Sequence, residues 1–213
     1  MNSIIAIGDV HGLTYWKTIV EKKTKSRIVF LGDYLDPYES FSIDQLLENL
    51  LDIIILKKQR PKDVVLLLGN HDLHYFNDII GFSCRYNDRY SRLIMQIFFT
   101  HIKLFQYAFQ MDKYIFTHAG ISQSWFTDDF KGDINKNIAD QLNNPTPQQE
   151  KALYLCGKSR GGSAKRGGIF WAGINDLYEP LQGYIQVVGH NRVEEVSNYT
   201  YKDGQIIFCD CLF

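Results

Sequence analysis

SIIAIGDVHG at residues 3–12, RIVFLGDYLD at 27–36 and VVLLLGNHD at 64–72 follow one pattern: an apolar run, a glycine, then polar residues. The runs at 3–7, 27–31 and 64–68 are short and rich in aliphatic and β-branched residues, which predicts strands. Residues 13–25 are compatible with a helix. Before the third run, Ser42-Ile43-Asp44-Gln45 is a capping box, in which the Ser hydroxyl and the Gln side chain satisfy exposed amides reciprocally. The helix it opens carries Ile43, Leu46, Leu47, Leu50, Leu51 and Ile54 at a 3.6-residue period and stops before Pro61. Strand–helix–strand–helix–strand implies right-handed parallel crossovers in a sheet buried on both faces. The class is α/β.

The pattern changes further along. A helix is expected from about Tyr90 to Ile102. Residues 105–111 and 114–117 flank the short turn Asp112-Lys113 and read as a β-hairpin. Residues 122–168 are the least legible, with Asn143-Asn144-Pro145 and a glycine-rich, basic loop at 159–168. Strands return at 184–188, 196–201 and 205–209, the last two joined at Asp203-Gly204, a strong hairpin turn. With no repeat, low-complexity run or linker, the expectation is a single domain over residues 1–213.

Composition sets outer bounds. A hydrophobic fraction of 45% and a charged fraction of 22% are ordinary for a globular protein. A net charge of −1 offers no electrostatic reason for general nucleic-acid binding or for attachment to an acidic membrane. The longest apolar run, 50–56, is broken by Asp52 and is far short of a membrane span. The N-terminal apolar stretch is too short for a secretory leader, so the expected location is cytoplasmic. Cys84, Cys156, Cys209 and Cys211 show no metal-finger spacing and read as reduced thiols, with Cys209 and Cys211 filling a core. Oligomeric state is not readable.

Chemistry concentrates where strands end. Gly8-Asp9-Val10-His11-Gly12, Gly32-Asp33-Tyr34-Leu35-Asp36, Gly69-Asn70-His71-Asp72, Thr117-His118-Ala119-Gly120 and Gly189-His190-Asn191 each follow an apolar run. The carboxyl ends of strands in open α/β sheets line a ligand crevice. A lone aspartate there is usually a turn former and a lone histidine usually structural. The conjunction is what counts: four of the six histidines join two carboxylates and an amide at such ends. Carboxylate, amide and imidazole donors suit Mn, Fe or Zn. Two such ions roughly 3.5–4 Å apart clamp both ends of an in-line displacement and acidify a bound water. Without metal, neighbouring carboxylates raise each other's pKa.

The ordered set GDVHG, GDYLD, GNHD, THAG and VVGH resembles the calcineurin-like metallophosphoesterase superfamily. Its branch of phosphoprotein phosphatases and dinucleoside tetraphosphate hydrolases is the most similar, because Gly189-His190-Asn191-Arg192 offers one histidine where other branches have Gly-His-x-His. The resemblance implies two mixed sheets packed as a sandwich and flanked by helices. It also implies two divalent ions, Mn first and Fe or Zn as alternatives. Asp9 and His11 would bind the first, Asp33 would bridge, and Asn70, His118 and His190 would complete the second. His71 would be the general acid and Asp36 its orienting carboxylate. The implied activity is hydrolysis of phosphate monoesters, from phosphoproteins or small molecules, by metal-bound water. The alternatives are a dinucleoside polyphosphate or phosphodiester hydrolase on the same site, and a non-catalytic scaffold of the same fold.

One departure stands out. The phosphatase group usually has Arg-Gly after the second aspartate of GD-x-x-D, whereas Asp36 here precedes Pro37-Tyr38. Phosphoryl oxygens still need cationic partners. Arg160 and Arg166, in the 159–168 loop, are the first candidates for substrate binding. Arg85, Arg89, Arg92 and Arg192 are weaker ones. Asp72 is expected either to support His71 or to cap a helix, and Asp210 either to orient a metal-binding histidine or to serve a turn. His74 and His101 are read as structural or surface residues.

Overall fold

In a computed structural model, which describes residues 3–76 and 85–211, the first sheet is built from β1 (Ile4–Ile7), β2 (Arg27–Phe30), β3 (Val64–Leu67) and β4 (Phe105–Gln106). Its order is β1-β2-β3-β4, and every neighbouring pair is parallel. All four residues of β3 are buried, as a strand covered on both faces requires. These elements belong to one unit, Met1–Gln106, and the remainder to a second, Tyr107–Phe213.

Helices α1 (Trp16–Lys22) and α2 (Ile43–Gln59) connect the first three strands. The capping box at Ser42 forms as the sequence predicts, with both reciprocal bonds present. The buried face of α2 differs in part from the expected stripe. Leu46, Asn49, Leu50, Ile53 and Ile54 are buried, whereas Leu51 is exposed. Asn49 can face inward because its Oδ1 accepts from the Trp16 indole at 2.9 Å and its amide donates to the Leu13 carbonyl at 3.2 Å. A buried amide with both ends satisfied avoids the desolvation cost that makes such positions apolar. Each fully buried aliphatic such as Ile53 contributes about 1.5–3 kcal/mol. Helices α3 (Asn70–Leu73) and α4 (Ser91–His101) complete the first unit.

The second unit holds β5 (Ala108–Met111), β6 (Tyr114–Thr117), α5 (Ile138–Asn143), α6 (Pro147–Leu153), β7 (Ile185–Arg192), β8 (Ser197–Tyr201) and β9 (Gly204–Asp210). Its sheet runs β5-β6-β7-β9-β8 and is mixed: β6–β7 and β7–β9 are parallel, β5–β6 and β8–β9 antiparallel. Both expected hairpins are present, but the second turns at Lys202-Asp203, one residue before the expected Asp203-Gly204, since Gly204 already pairs with Tyr201. The strand read at 105–111, however, is two strands in two sheets, with Phe105–Gln106 pairing with β3 and Ala108–Met111 with β6. The Asn143 side chain fixes the new start, accepting from the amides of Tyr107 and Ala108 and donating to the Ala108 carbonyl.

Cys209 and Cys211 do not fill a core. The inward residues of β9 are Gly204, Ile206, Phe208 and Asp210, and both thiols sit half-buried and free. Cys84 lies outside the described residues. No helix among the described residues is long and apolar enough to cross a membrane.

Candidate metal and phosphate site

Asp9, His11, Asp33, Asp36, Asn70 and His71 all fall on or just beyond the ends of β1, β2 and β3, and all are buried. The three ends are laced together. The amides of Val10 and His11 donate to the Asp33 carbonyl at 3.1 and 2.7 Å, and the His71 amide donates to Asp33 Oδ1 at 2.9 Å. Asp72 closes the set, its carboxylate accepting from the amides of Asp33, Tyr34 and Gly69 at 2.8, 2.9 and 2.8 Å. Of the two roles weighed for Asp72, the cap is the one its contacts display: it accepts from the Gly69 amide at the start of the helix Asn70–Leu73, and its other two bonds go to the end of β2 rather than to His71.

Close approach explains the glycines. A Cβ on Gly32 would lie 2.4 Å from the Gly69 amide nitrogen, and one on Gly69 would lie 2.1 Å from Asp33 Oδ1. His11, Asp33, Asp36 and His190 adopt positive φ of 42°, 52°, 57° and 61° without being glycine. Backbone in that region costs on the order of 1–3 kcal/mol per residue and persists where surroundings over-determine it, commonly at functional sites.

One metal-binding group is complete within the first unit: Asp9, His11 and Asp33 offer ligating atoms that all lie within 4.8 Å of one another. His11 Nδ1 donates to the Leu35 carbonyl at 2.7 Å, which leaves the Nε2 lone pair facing Asp33 Oδ2 at 3.7 Å and Asp9 Oδ2 at 3.9 Å. Burial lowers the His11 pKa to about 3, so the ring is neutral, the form that ligates. Burial, then the charges of Asp9 and Asp72, hold the Asp33 carboxyl well above its ordinary value. A buried pair of carboxylates against a neutral imidazole is a site that a divalent cation would neutralise, so the donors fit a metal.

His71 has two partners that matter. Nδ1 lies 2.8 Å from Asp36 Oδ2, and Nε2 lies 3.3 Å from Arg85 Nη2. Asp36 in turn accepts from the Tyr75 hydroxyl at 2.5 Å through its other oxygen. Tyr75 was missed by sequence reasoning, although its i+4 spacing from His71 is a signal that the two share a helical face.

In the second unit, His118 follows β6 and His190 lies within β7, their ring centroids 5.0 Å apart. The Gly189 amide donates to the His118 carbonyl at 2.8 Å, and the Ala119 amide to Ile169 at 2.7 Å. The buried Gln186 side chain secures the following turn by bonding both backbone groups of Ile121 at 2.8 Å. Arg160 Nη2 donates to Asn191 Oδ1 at 2.5 Å and to the His190 carbonyl at 3.4 Å. Arg166 is paired with Asp129 at 2.7 Å and Asp128 at 3.3 Å. Asp210 is buried near Arg192 and Arg160, its pKa raised by burial to about 6 despite their opposing charge. His74 is buried with its ring 5.9 Å from that of His71.

An α/β fold with two helix-flanked sheets and a carboxylate–imidazole cluster on the strand ends of its first unit defines a scaffold with a candidate metal site. The profile of the calcineurin-like phosphoesterases matches residues 3–202, and the chain belongs to that family. The chain is similar in fold to a cold-active protein-tyrosine phosphatase of a psychrophilic Shewanella species. The identity is 20% and the TM-score 0.58, over 99% of this chain and 71% of that one. A second structure of a cold-active protein tyrosine phosphatase aligns at 18% identity and TM-score 0.57, covering 99% and 70%. A serine/threonine phosphatase from Saccharomyces cerevisiae aligns at 21% identity and TM-score 0.47, and the chain spans 55% of its length.

Proposed function

We propose that the protein is a dinuclear-metal-dependent phosphatase acting on phosphate monoesters, with Mn as its first-choice metal and the cytoplasm as its location. The observation that carries this reading is the His71–Asp36 pair, 2.8 Å apart, immediately beside the Asp9–His11–Asp33 cluster. Asp9 and His11 would hold one ion, Asp33 would bridge, and Asn70, His118 and His190 would hold the other. The family match runs through residues of both units. When bound, such ions supply positive charge to the phosphoryl oxygens and lower the pKa of the attacking water.

The chain's own residues do the rest. Asp36 accepts the Nδ1 proton of His71 and fixes the ring, so that Nε2 is the atom from which a proton passes to the leaving oxygen. Tyr75 holds the other carboxylate oxygen and prevents Asp36 from rotating away. Arg160 contributes a guanidinium held by the neutral Asn191 amide. Arg166, neutralised by Asp128 and Asp129, positions the loop that carries Arg160.

The test is hydrolysis of p-nitrophenyl phosphate with added Mn²⁺, beside a bis-ester, a dinucleoside tetraphosphate and an EDTA control. EDTA-sensitive turnover with the monoester preferred is expected. Preference for either other substrate would overturn the monoester assignment while leaving the metal site, and turnover unaffected by EDTA would sink the metal dependence.

A further inference from the structure

We propose that Arg85, in addition to Arg160, receives the substrate's phosphoryl oxygens, supplying the guanidinium that Pro37 denies to this chain. The inference rests on the phosphatase reading above. Three contacts fix the Arg85 side chain: Nε donates to the Asp36 carbonyl at 2.8 Å, Nη2 lies 3.3 Å from His71 Nε2, and Cζ lies 3.5 Å from the centroid of the Tyr38 ring. A guanidinium stacked on an aromatic face and tethered through Nε has surrendered its rotational freedom before any ligand arrives, so less is lost on binding.

No described carboxylate claims the charge on Arg85. Among the described residues its partners are a backbone carbonyl, a ring nitrogen of His71 and an aromatic ring, and no carboxylate is ion-paired with it. Arg166 by contrast is neutralised by Asp128 and Asp129. The residue is half-buried, so solvent and ligand reach it.

Position supplies the last step. With Nδ1 turned to Asp36, Nε2 is the face of His71 that meets substrate, and Arg85 Nη2 is within hydrogen-bonding reach of that same atom. A phosphate ester whose leaving oxygen meets His71 Nε2 therefore has its non-bridging oxygens beside the guanidinium. Planar, forked N–H donors match those oxygens. The ligand chemistry assigned to Arg85 is a phosphoryl dianion, whatever alcohol it is esterified to.

The experiment measures the Kd of inorganic phosphate on the Mn²⁺-loaded protein by calorimetry, with kcat and KM for an aryl and an alkyl monoester. Variants are Arg85→Ala, Arg85→Lys and, as a charge-matched control, Arg89→Ala, whose guanidinium rests on Tyr90. Phosphate Kd is expected to rise about 10- to 100-fold in Arg85→Ala, the range for loss of charged hydrogen bonds. It should rise less in Arg85→Lys and stay within about twofold in Arg89→Ala. The loss in kcat/KM should be similar for both esters, because the guanidinium touches the group they share. An unchanged phosphate Kd with a fallen kcat would overturn the proposal, leaving Arg85 as a prop for Asp36 and His71. If Arg85→Ala does not melt cooperatively, Arg85→Lys decides, and a Kd within about twofold of wild type overturns it. Wild type that binds phosphate but turns over no monoester would refute the phosphatase reading, and the variant Kd values would still judge Arg85.

Discussion

His71 carries the most specific expectation at the level of single residues. A general acid matters most when the leaving oxygen is strongly basic, and typically contributes about 10²–10⁴-fold. His71→Ala should therefore lower kcat by about that factor on an alkyl phosphate and by far less on p-nitrophenyl phosphate, whose leaving group departs without a proton. Equal losses on both esters would assign His71 to binding instead. Asp33→Asn should abolish turnover while leaving the fold largely intact, because the Oδ1 that accepts from the His71 amide has a counterpart in asparagine. Near-normal, metal-dependent activity in that variant would show that Asp33 is no bridge. The positions of Asp9, His11, Asp33, Asn70 and His71 were legible because each follows a glycine at the end of an apolar run, a local signal. Tyr75 and Arg85 carry weaker signals, an i+4 spacing from His71 and a bare positive charge. Their roles depend on Asp36, which is 39 and 49 residues away in the chain.

Among the elements, the ends of β2 and β3 depend on Asp72. Its two oxygens accept three backbone amides, from Asp33, Tyr34 and Gly69, and it is fully buried. Asn at this position keeps one acceptor oxygen and turns an NH₂ group toward a backbone N–H. Leaving a buried donor unsatisfied costs about 1–3 kcal/mol, so Asp72→Asn should lower the unfolding free energy by that much, read as a lower urea midpoint at unchanged m, and also weaken metal binding through Asp33. A variant with wild-type stability would mean that the strand ends do not need this clasp. Legibility at this scale followed the range of the interaction. The α2 capping box and both hairpins were readable because their signals span four residues or fewer. The helix α6 carries an equally short signal, since Thr146-Pro147-Gln148-Gln149 forms a capping box with proline in the first turn, but at seven residues it is too short to show a helical stripe. The division of residues 105–111 between two sheets was not readable, because Asn143, far along the chain, decides where β5 begins.

For the whole molecule, the buried acids make stability depend jointly on metal and pH. Asp72 has its pKa raised from 3.8 to about 7, chiefly by burial and against the pull of its three amides, and Asp33 is raised well above 3.8 by burial and by Asp9 and Asp72. A carboxyl with a raised folded-state pKa binds its proton more tightly in the native state than in the unfolded chain. Its contribution to stability is therefore fully present below the unfolded value of 3.8 and is lost as pH rises through the folded value, about 7 for Asp72. Metal-free protein should lose thermal stability across that window. A divalent cation reverses the sign locally, because it favours the ionised carboxylates. Adding Mn²⁺ to EDTA-stripped protein should thus raise Tm strongly near pH 7 and much less near pH 5, where protons compete for the same oxygens. Differential scanning calorimetry at the two pH values with and without Mn²⁺ measures this directly. Equal Tm in all four conditions would show that the buried acids do not meet a metal, and the proposed centre would fall with them.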